Sequence, residues 1–200
     1  MIRVLISVLL LSSCNNFAYV DNFNYVRGYL IGFPNDDISE STFNDYEYSF
    51  ANVKVGRGPA SQVVLSTIKN GIYEWVSADK IRIYTQDGRI IKTVGLSSDV
   101  NYRELDSHLS LSRPTRSFAS FYNPDLINQS IIIQTEKRKS KKISYIGNEL
   151  IASEVSSRIL IPSIKYRATS KYYIYNGRVI YTEQDIHPNL PTFKIEFYYK

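Results

Sequence analysis

The chain has 200 residues and a single cysteine, and 44% of its residues are hydrophobic. This length suits one domain with a sizeable core, and one cysteine excludes an intramolecular disulfide. The formal charge of +5 is too small to indicate a nucleic-acid-binding protein. The 17 tyrosines and 9 phenylalanines favour β-strands over helices.

The first residues resemble the signal of a bacterial lipoprotein. A positive charge at Arg3 is followed by an apolar stretch over residues 4–11, and Leu11 and Ser13 precede Cys14 with the spacing of a lipobox. The apolar stretch is far shorter than the roughly 20 residues of a membrane-spanning helix. We therefore expect residues 1–13 to be a cleaved signal peptide and Cys14 to become the lipidated first residue.

The predicted anchor also indicates a compartment. Two or more acyl chains on Cys14 hold a protein durably, because each buried CH₂ contributes about 0.8 kcal/mol. Asn15 follows the cysteine, and in the enterobacterial sorting rule a residue other than Asp at this position favours the outer membrane. The sequence thus predicts a lipid-anchored outer-membrane protein. The alternatives are an ordinary signal peptide with an accidental cysteine, and an apolar core segment.

Residues 14–48 are expected to hold the lipid anchor, a helix and a linker. Apolar residues recur with the spacing of one helical face across residues 17–31, and Pro34 follows them. Residues 34–47 are acidic and poor in large apolar side chains, which is typical of a linker or surface loop.

Residues 49–200 are predicted to form one antiparallel, meander-type β domain, because apolar residues there recur with a period of two. Two hairpin turns are indicated, at residues 86–88 and at Asn176-Gly177. Short turns without long helical patterns favour a sandwich or a curved, partly closed barrel. Residues 97–111 are expected to hold a short helix. The predicted strands lie near residues 50–56, 61–69, 72–77, 80–86, 89–94, 115–122, 130–136, 142–147, 154–160, 163–168, 171–175, 178–183 and 192–199.

Several ordered motifs in this domain resemble the YjbF/GfcB family of exopolysaccharide and capsule lipoproteins, most densely over residues 56–96. They are Gly56-Arg57-Gly58-Pro59, Val63-Val64-Leu65, Tyr73-Glu74-Trp75, Ser77-Ala78-Asp79, Asp87-Gly88-Arg89-Ile90 and Thr93-Val94-Gly95-Leu96, with Tyr173, Gly177-Arg178-Val179, Gln184 and Pro188 near the C-terminus.

This resemblance implies an outer-membrane lipoprotein encoded beside a periplasmic β-rich protein and a large outer-membrane β-barrel, in clusters devoted to surface polysaccharide. Members of this family have no established catalytic residues, so the resemblance implies no catalytic site. We therefore expect a non-enzymatic accessory of polysaccharide secretion or assembly, which works through such protein partners and through the polymer itself.

The residues themselves give little sign of an enzyme, metal or cofactor. Neither His108 nor His187 lies in a nucleophile or zinc motif. On a strand, Glu183, Asp185 and His187 would share one face and could bind a metal, but an exposed polar face is the simpler interpretation. We predict no catalytic residue, no metal and no cofactor.

Two features suit binding. Five basic residues lie between two predicted strands, and they are candidate ligands for an anionic polysaccharide: Lys137, Arg138, Lys139, Lys141 and Lys142. The alternative is a solvated hairpin tip whose charges oppose aggregation. The second feature is a set of aromatic residues that could stack on sugar rings or fill the core: Trp75, Tyr172, Tyr173, Tyr175, Tyr181, Tyr198 and Tyr199. For Trp75 we predict packing into the sheet.

Two other functions stay open at this point. A curved sheet with an apolar inner face would suit a periplasmic carrier of a lipid or other hydrophobic ligand, and it predicts a large apolar cavity. A glycan-modifying enzyme is the least favoured function, and it predicts paired carboxylates across a cleft.

Overall fold

The computed structural model describes residues 38–103 and 114–200. Among these residues, 38–56, 60–103 and 114–200 belong to one compact unit. The predicted signal peptide, Cys14, the helix expected over residues 17–31 and His108 lie outside the described residues. Within the described ranges, no helix has the length and apolar character needed to cross a membrane.

The described residues form thirteen strands, one short α-helix and a 3-10 turn at Pro162–Ile164. The helix, α1, is Glu40–Asp45. The strands are β1 Phe50–Val55, β2 Ala60–Lys69, β3 Ile72–Ser77, β4 Arg82–Gln86, β5 Arg89–Val94, β6 Val100–Arg103, β7 Thr115–Phe121, β8 Leu126–Lys137, β9 Lys141–Tyr145, β10 Asn148–Ile161, β11 Tyr166–Tyr175, β12 Arg178–Gln184 and β13 Phe193–Tyr198.

All strand pairs are antiparallel, and twelve of the strands close into a barrel. The order is β11, β12, β13, β1, β2, β3, β4, β5, β6, β7, β8 and β10, and a β10–β11 pairing completes the ring. Strand β9 pairs with β10 alone and is the extra, thirteenth strand. The predicted fold class, mainly β and antiparallel, is confirmed.

The barrel interior is filled by apolar side chains from every part of the ring. In β13, Phe193, Ile195 and Phe197 all belong to this core, as their spacing predicts. Beside Tyr102 and Tyr172 the packing leaves a pocket of only about 10 Å³, the size of roughly one water molecule.

Strands on opposite sides of the barrel contact each other across the interior, so little space is left inside. Strands β5 and β12 have five strands between them in either direction around the ring. The Gln184 side chain on β12 accepts the Ile90 N–H at 3.0 Å and donates to the Gly88 carbonyl at 2.8 Å. Wide barrels leave an internal cavity, and this contact removes much of that space.

A second aromatic cluster lies on the outer face of β1 and β13. Phe50 and Tyr198 are buried although they do not belong to the interior core. Their rings stack at 4.7 Å, and Tyr145 of β9 also stacks with Tyr198, at 5.5 Å. Phe43 of α1 contacts the same tyrosine at 6.4 Å. Helix α1 and the β9–β10 hairpin therefore cover this face.

Three details differ from the sequence-based expectations. Residues 100–103 form β6, which pairs with β7, where a short helix was expected over 97–111. One strand, β11, replaces the two predicted over 163–168 and 171–175, because the 3-10 turn takes the first residues. The predicted linker over 34–47 contains α1, which begins where the Ser39 side chain accepts the Thr42 N–H.

Candidate functional site

A cleft of about 300 Å³ lies where the β4–β5 turn, the β11–β12 turn and the C-terminal segment meet. The residues that matter for its chemistry are Tyr73, Asp87, Gly88, Arg178, Val179 and Tyr199. Both turns have positive φ at two successive residues, Asp87-Gly88 and Asn176-Gly177. This is the geometry of the tight hairpin that these dipeptides predict.

The aromatic wall of the cleft is held in place. The Tyr199 hydroxyl donates to the Val179 carbonyl at 3.1 Å. Its ring meets Tyr73 edge-on at 6.1 Å and Trp75 at 6.2 Å. Burial raises the pKa of Tyr199 above its ordinary value, so the hydroxyl stays protonated and remains a donor. The wall is therefore fixed before any ligand arrives.

The cationic group of the cleft is Arg178, the first residue of β12. Its side chain is exposed, and its guanidinium carbon lies 5.6 Å from the centre of the Tyr199 ring. Such a cation–π contact positions the guanidinium without using its N–H donors. Arg178 can therefore present a planar fork of donors to an anion.

The turn that carries Asp87 is pressed against the opposite wall. Gly88 has φ +74°, and a Cβ at this position would lie 2.5 Å from Cγ1 of Val179. The hydrogen bonds from Gln184 hold the same turn from inside the barrel. Several residues that carry the family resemblance thus converge on this end of the barrel, which the sequence did not predict.

The five predicted basic ligands lie at the junction of β8 and β9, between two strands as expected, but this junction is not the hairpin tip of the alternative interpretation. Strand β8 ends with Lys137 opposite Val155 of β10, and β9 begins with Lys141 opposite Ala152. Strands β8 and β9 therefore pair with the same edge of β10, one after the other, and the pairing register shifts by one residue between them. The basic run forms the interruption between these two strands. The tip of the hairpin is Ile146–Gly147, where both residues have positive φ.

All five side chains of this basic segment, residues 137–142, are exposed. Two of them form ion pairs: Arg138 with Glu136 at 3.0 Å, and Lys142 with Glu149 at 3.5 Å. The Lys141 ammonium lies 5.6 Å from the Tyr173 ring. Part of the positive charge is thus compensated locally, and whether the segment binds an anionic polysaccharide stays a prediction.

Most of the candidate sugar-stacking aromatics belong to packed regions. Trp75 is 1% exposed and donates from Nε1 to Oγ1 of Thr85 at 2.9 Å, so its predicted packing is confirmed. Tyr172, Tyr173 and Tyr198 are also buried. Tyr199 differs from them because it lines the cleft.

The alternative metal ligands are not brought together. Strand β12 ends at Gln184, so Asp185 and His187 do not continue its alternation. Glu183 faces Lys171 and Lys194, each at 3.6 Å, and Asp185 accepts the Thr192 hydroxyl at 2.6 Å. Across the described ranges, no cluster of three or more His, Cys, Asp or Glu residues could hold a metal ion.

Comparison with known protein families agrees with the resemblance seen in the sequence motifs. A model of the YjbF family, described as group 4 capsule polysaccharide lipoprotein GfcB, matches residues 25–198. The chain belongs to this family. Capsule-polysaccharide lipoproteins of the cell envelope are thus its established relatives, and the resemblance seen in the sequence is confirmed. No curated protein matches the chain significantly.

One solved structure shows the same fold. The chain is similar to the hypothetical lipoprotein YmcC from Escherichia coli K12, with 16% sequence identity and a TM-score of 0.70. The similarity covers 94% of this chain and 98% of that one. A putative lipoprotein from Parabacteroides distasonis is more distant, with 12% identity, a TM-score of 0.40, and coverage of 82% of this chain and 99% of that one.

Sequence reasoning missed the cleft as a site. The two X-Gly turns and Arg178 were visible as motifs, but nothing local indicated that residues 87 and 178 are neighbours. Their proximity depends on contact between strands β5 and β12, which lie far apart in the chain.

Proposed function

We propose that this protein is a non-enzymatic outer-membrane lipoprotein, anchored through Cys14, that assists the secretion or assembly of a capsule or exopolysaccharide. It acts through protein partners, an outer-membrane β-barrel and periplasmic proteins of the export system, and through the anionic polymer. The family match over residues 25–198 carries this proposal. The lipobox at residues 11–14 supplies the means of anchoring.

The filled barrel supports this function over the carrier alternative. A carrier of a lipid needs an apolar cavity of several hundred Å³. In the described part of the interior, the pocket beside Tyr102 and Tyr172 has about 10 Å³. The described cleft at the barrel end is instead open, polar and partly charged, which suits a water-soluble ligand.

The test uses a strain in which the gene is deleted and then restored. We expect deletion to reduce polymer on the cell surface and wild-type protein to restore it. Cys14→Ala should lose metabolic labelling with palmitate, accumulate as precursor and fail to restore the polymer. Asn15→Asp should stay lipidated and shift toward the inner membrane in fractionation.

Three results would contradict the proposal. Normal surface polymer in the deletion strain would remove the role in secretion. Equal palmitate labelling of the wild type and of Cys14→Ala would remove the anchor, and full restoration by an unlipidated variant would show that anchoring is not needed.

A further inference from the structure

We infer that the cleft at Arg178 binds one carboxylated sugar unit, of the uronic-acid type, of an anionic polysaccharide. This inference rests on the proposed function, since it names the ligand through which the protein contacts the polymer. Three properties of the cleft support it: its cation, its aromatic wall and its size.

The cation selects for an anion. Arg178 is exposed, and its contact with the Tyr199 ring leaves its N–H donors available. A guanidinium forms two parallel hydrogen bonds with a carboxylate, which makes recognition both strong and directional. Among the described residues, no atom lies within 4 Å of a Cβ placed on Gly177, so the backbone beside Arg178 is open on their side. A ligand can therefore approach the guanidinium over the turn.

The rest of the cleft distinguishes a carboxylated sugar from a phosphate. Asp87 lines the same cleft as Arg178, so an anion bound to Arg178 also lies near a carboxylate. A phosphate with nearly two negative charges would be repelled by this carboxylate. A sugar acid carries one charge, and its hydroxyl groups can donate to Asp87. Tyr73 and Tyr199 offer an apolar wall for the C–H face of a pyranose ring.

The size of the cleft limits what it can hold. Its volume of about 300 Å³ is at the lower end for small-molecule pockets. It suits one sugar ring or an end of a chain, in contrast to an extended groove for a polymer. The protein would therefore recognise a single unit, and the exposed basic segment is a separate feature.

The binding test uses the purified lipidated protein in detergent and three probes: methyl β-D-glucuronoside, methyl β-D-glucoside and glucose 6-phosphate. By titration calorimetry we expect the glucuronoside to bind about tenfold more tightly than the glucoside, or more. The reason is that the free energy of a charge-assisted hydrogen bond exceeds the free energy of a tenfold change in affinity. Arg178→Gln should abolish this difference, and Arg178→Lys should keep only part of it. Arg167→Gln, an exposed arginine on β11, is the matched control and should bind like the wild type.

Equal affinity for the glucuronoside and the glucoside would overturn the inference, as would an unchanged preference in Arg178→Gln. Tightest binding of glucose 6-phosphate would overturn the choice of a carboxylate. Thermal melting of each variant checks the fold, and we expect Arg178→Gln to melt like the wild type because its side chain is exposed.

A cellular arm separates this inference from the proposed function. If deletion removes surface polymer while the wild-type protein binds the glucuronoside and the glucoside equally, the cleft assignment fails and the secretion role stands. If deletion has no effect on the polymer, the secretion role fails, whatever the cleft binds.

Discussion

Trp75 connects the core to the wall of the cleft through a single side chain. It packs on Phe197 at 5.2 Å and on Tyr73 at 6.2 Å, and it donates to Thr85. We expect Trp75→Ala to lower the free energy of unfolding by about 3–5 kcal/mol, because it opens a large cavity. Urea denaturation measures this loss. Trp75→Phe should lose less, and an alanine variant as stable as the wild type would contradict the assignment.

Gly88 and Gly71 provide a matched pair for the contact between opposite walls. Both have positive φ, +74° and +76°, but a Cβ on Gly71 meets nothing within 4 Å. Gly71→Ala should therefore cost only the backbone strain of about 1–2 kcal/mol. Gly88→Ala should cost a further 1–3 kcal/mol or so, because the new methyl collides with Val179.

A second substitution checks the cause of that extra loss. In the Gly88→Ala background, Val179→Ala removes two of the three colliding atoms and leaves only the Val179 Cβ, at 2.6 Å, so part of the loss should return. Denaturant unfolding of the single and double variants measures the coupling. Equal stability of Gly71→Ala and Gly88→Ala would show that the walls do not press on each other.

His187 predicts a pH dependence of stability. It is 1% exposed, and its Nδ1 accepts the Asn189 N–H at 3.0 Å. Burial lowers the pKa of His187 below its usual value and outweighs the nearby carboxylate of Asp99, which favours the charged form. The folded state therefore binds fewer protons than the unfolded state, and stability falls as the pH drops through about 6.5.

The measurement is the Tm between pH 7.5 and pH 5.5. We expect the wild type to lose stability over this range and His187→Asn to lose less of it. An asparagine can accept the same N–H from Asn189 but does not titrate. The two proteins are compared by the slope of Tm against pH. Absolute Tm values are not compared, because the smaller side chain also changes the packing against Phe121. Identical slopes would exclude His187 as the titrating group.

At the scale of elements, the basic segment between β8 and β9 is exposed, so its charges contribute little to the stability of the fold. Its exposed ion pairs, Arg138–Glu136 and Lys142–Glu149, contribute at most about 1 kcal/mol each. Changing Lys137, Arg138, Lys139, Lys141 and Lys142 to Gln removes these pairs and also the repulsion between like charges. We therefore expect the Tm to change little.

Retention on an acidic exopolysaccharide distinguishes the two interpretations of this segment. If it binds the polymer, wild-type retention should fall with rising salt, because exposed charges are screened beyond about 8 Å at physiological ionic strength. The fivefold Gln variant should then be retained less at low salt. Unchanged retention would leave the segment as a solubilising surface, and Arg178→Gln in the same assay would test the cleft.

At the scale of the whole molecule, Gln184 joins two strands on opposite sides of the barrel. Gln184→Leu keeps the approximate size but removes the partners of the Ile90 N–H and the Gly88 carbonyl. Each buried group left without a partner costs about 1–3 kcal/mol, so we expect a clear loss of Tm. Amide hydrogen exchange at Ile90 should also accelerate.

The control for this prediction is Gln134→Leu, since that side chain is exposed on β8. It should leave both Tm and the exchange at Ile90 unchanged. If Gln184→Leu behaves like Gln134→Leu, the contact across the barrel carries no stability, and the filled interior needs another explanation.

Local patterns in the sequence determined most of the strands and several of their turns. The alternation of Phe193, Ile195 and Phe197 predicted which face of β13 is buried, and Asn176-Gly177 predicted a hairpin. These features depend on neighbouring residues and their φ/ψ preferences, so a short window of sequence contains them. The packing of Trp75 was predictable for the same reason, from its apolar neighbours on a strand.

Only the tertiary structure decided how the strands close and what they bring together. The β1–β13 pairing, which joins the two ends of the β domain, the cover of Tyr145 over Tyr198, and the cleft shared by Arg178 and Asp87 all bring together residues that are distant in the chain. Periodicity specifies which face of a strand is apolar, but it does not specify which surface that face meets. The cleft exists because opposite walls pack together, and that packing is a property of the whole barrel.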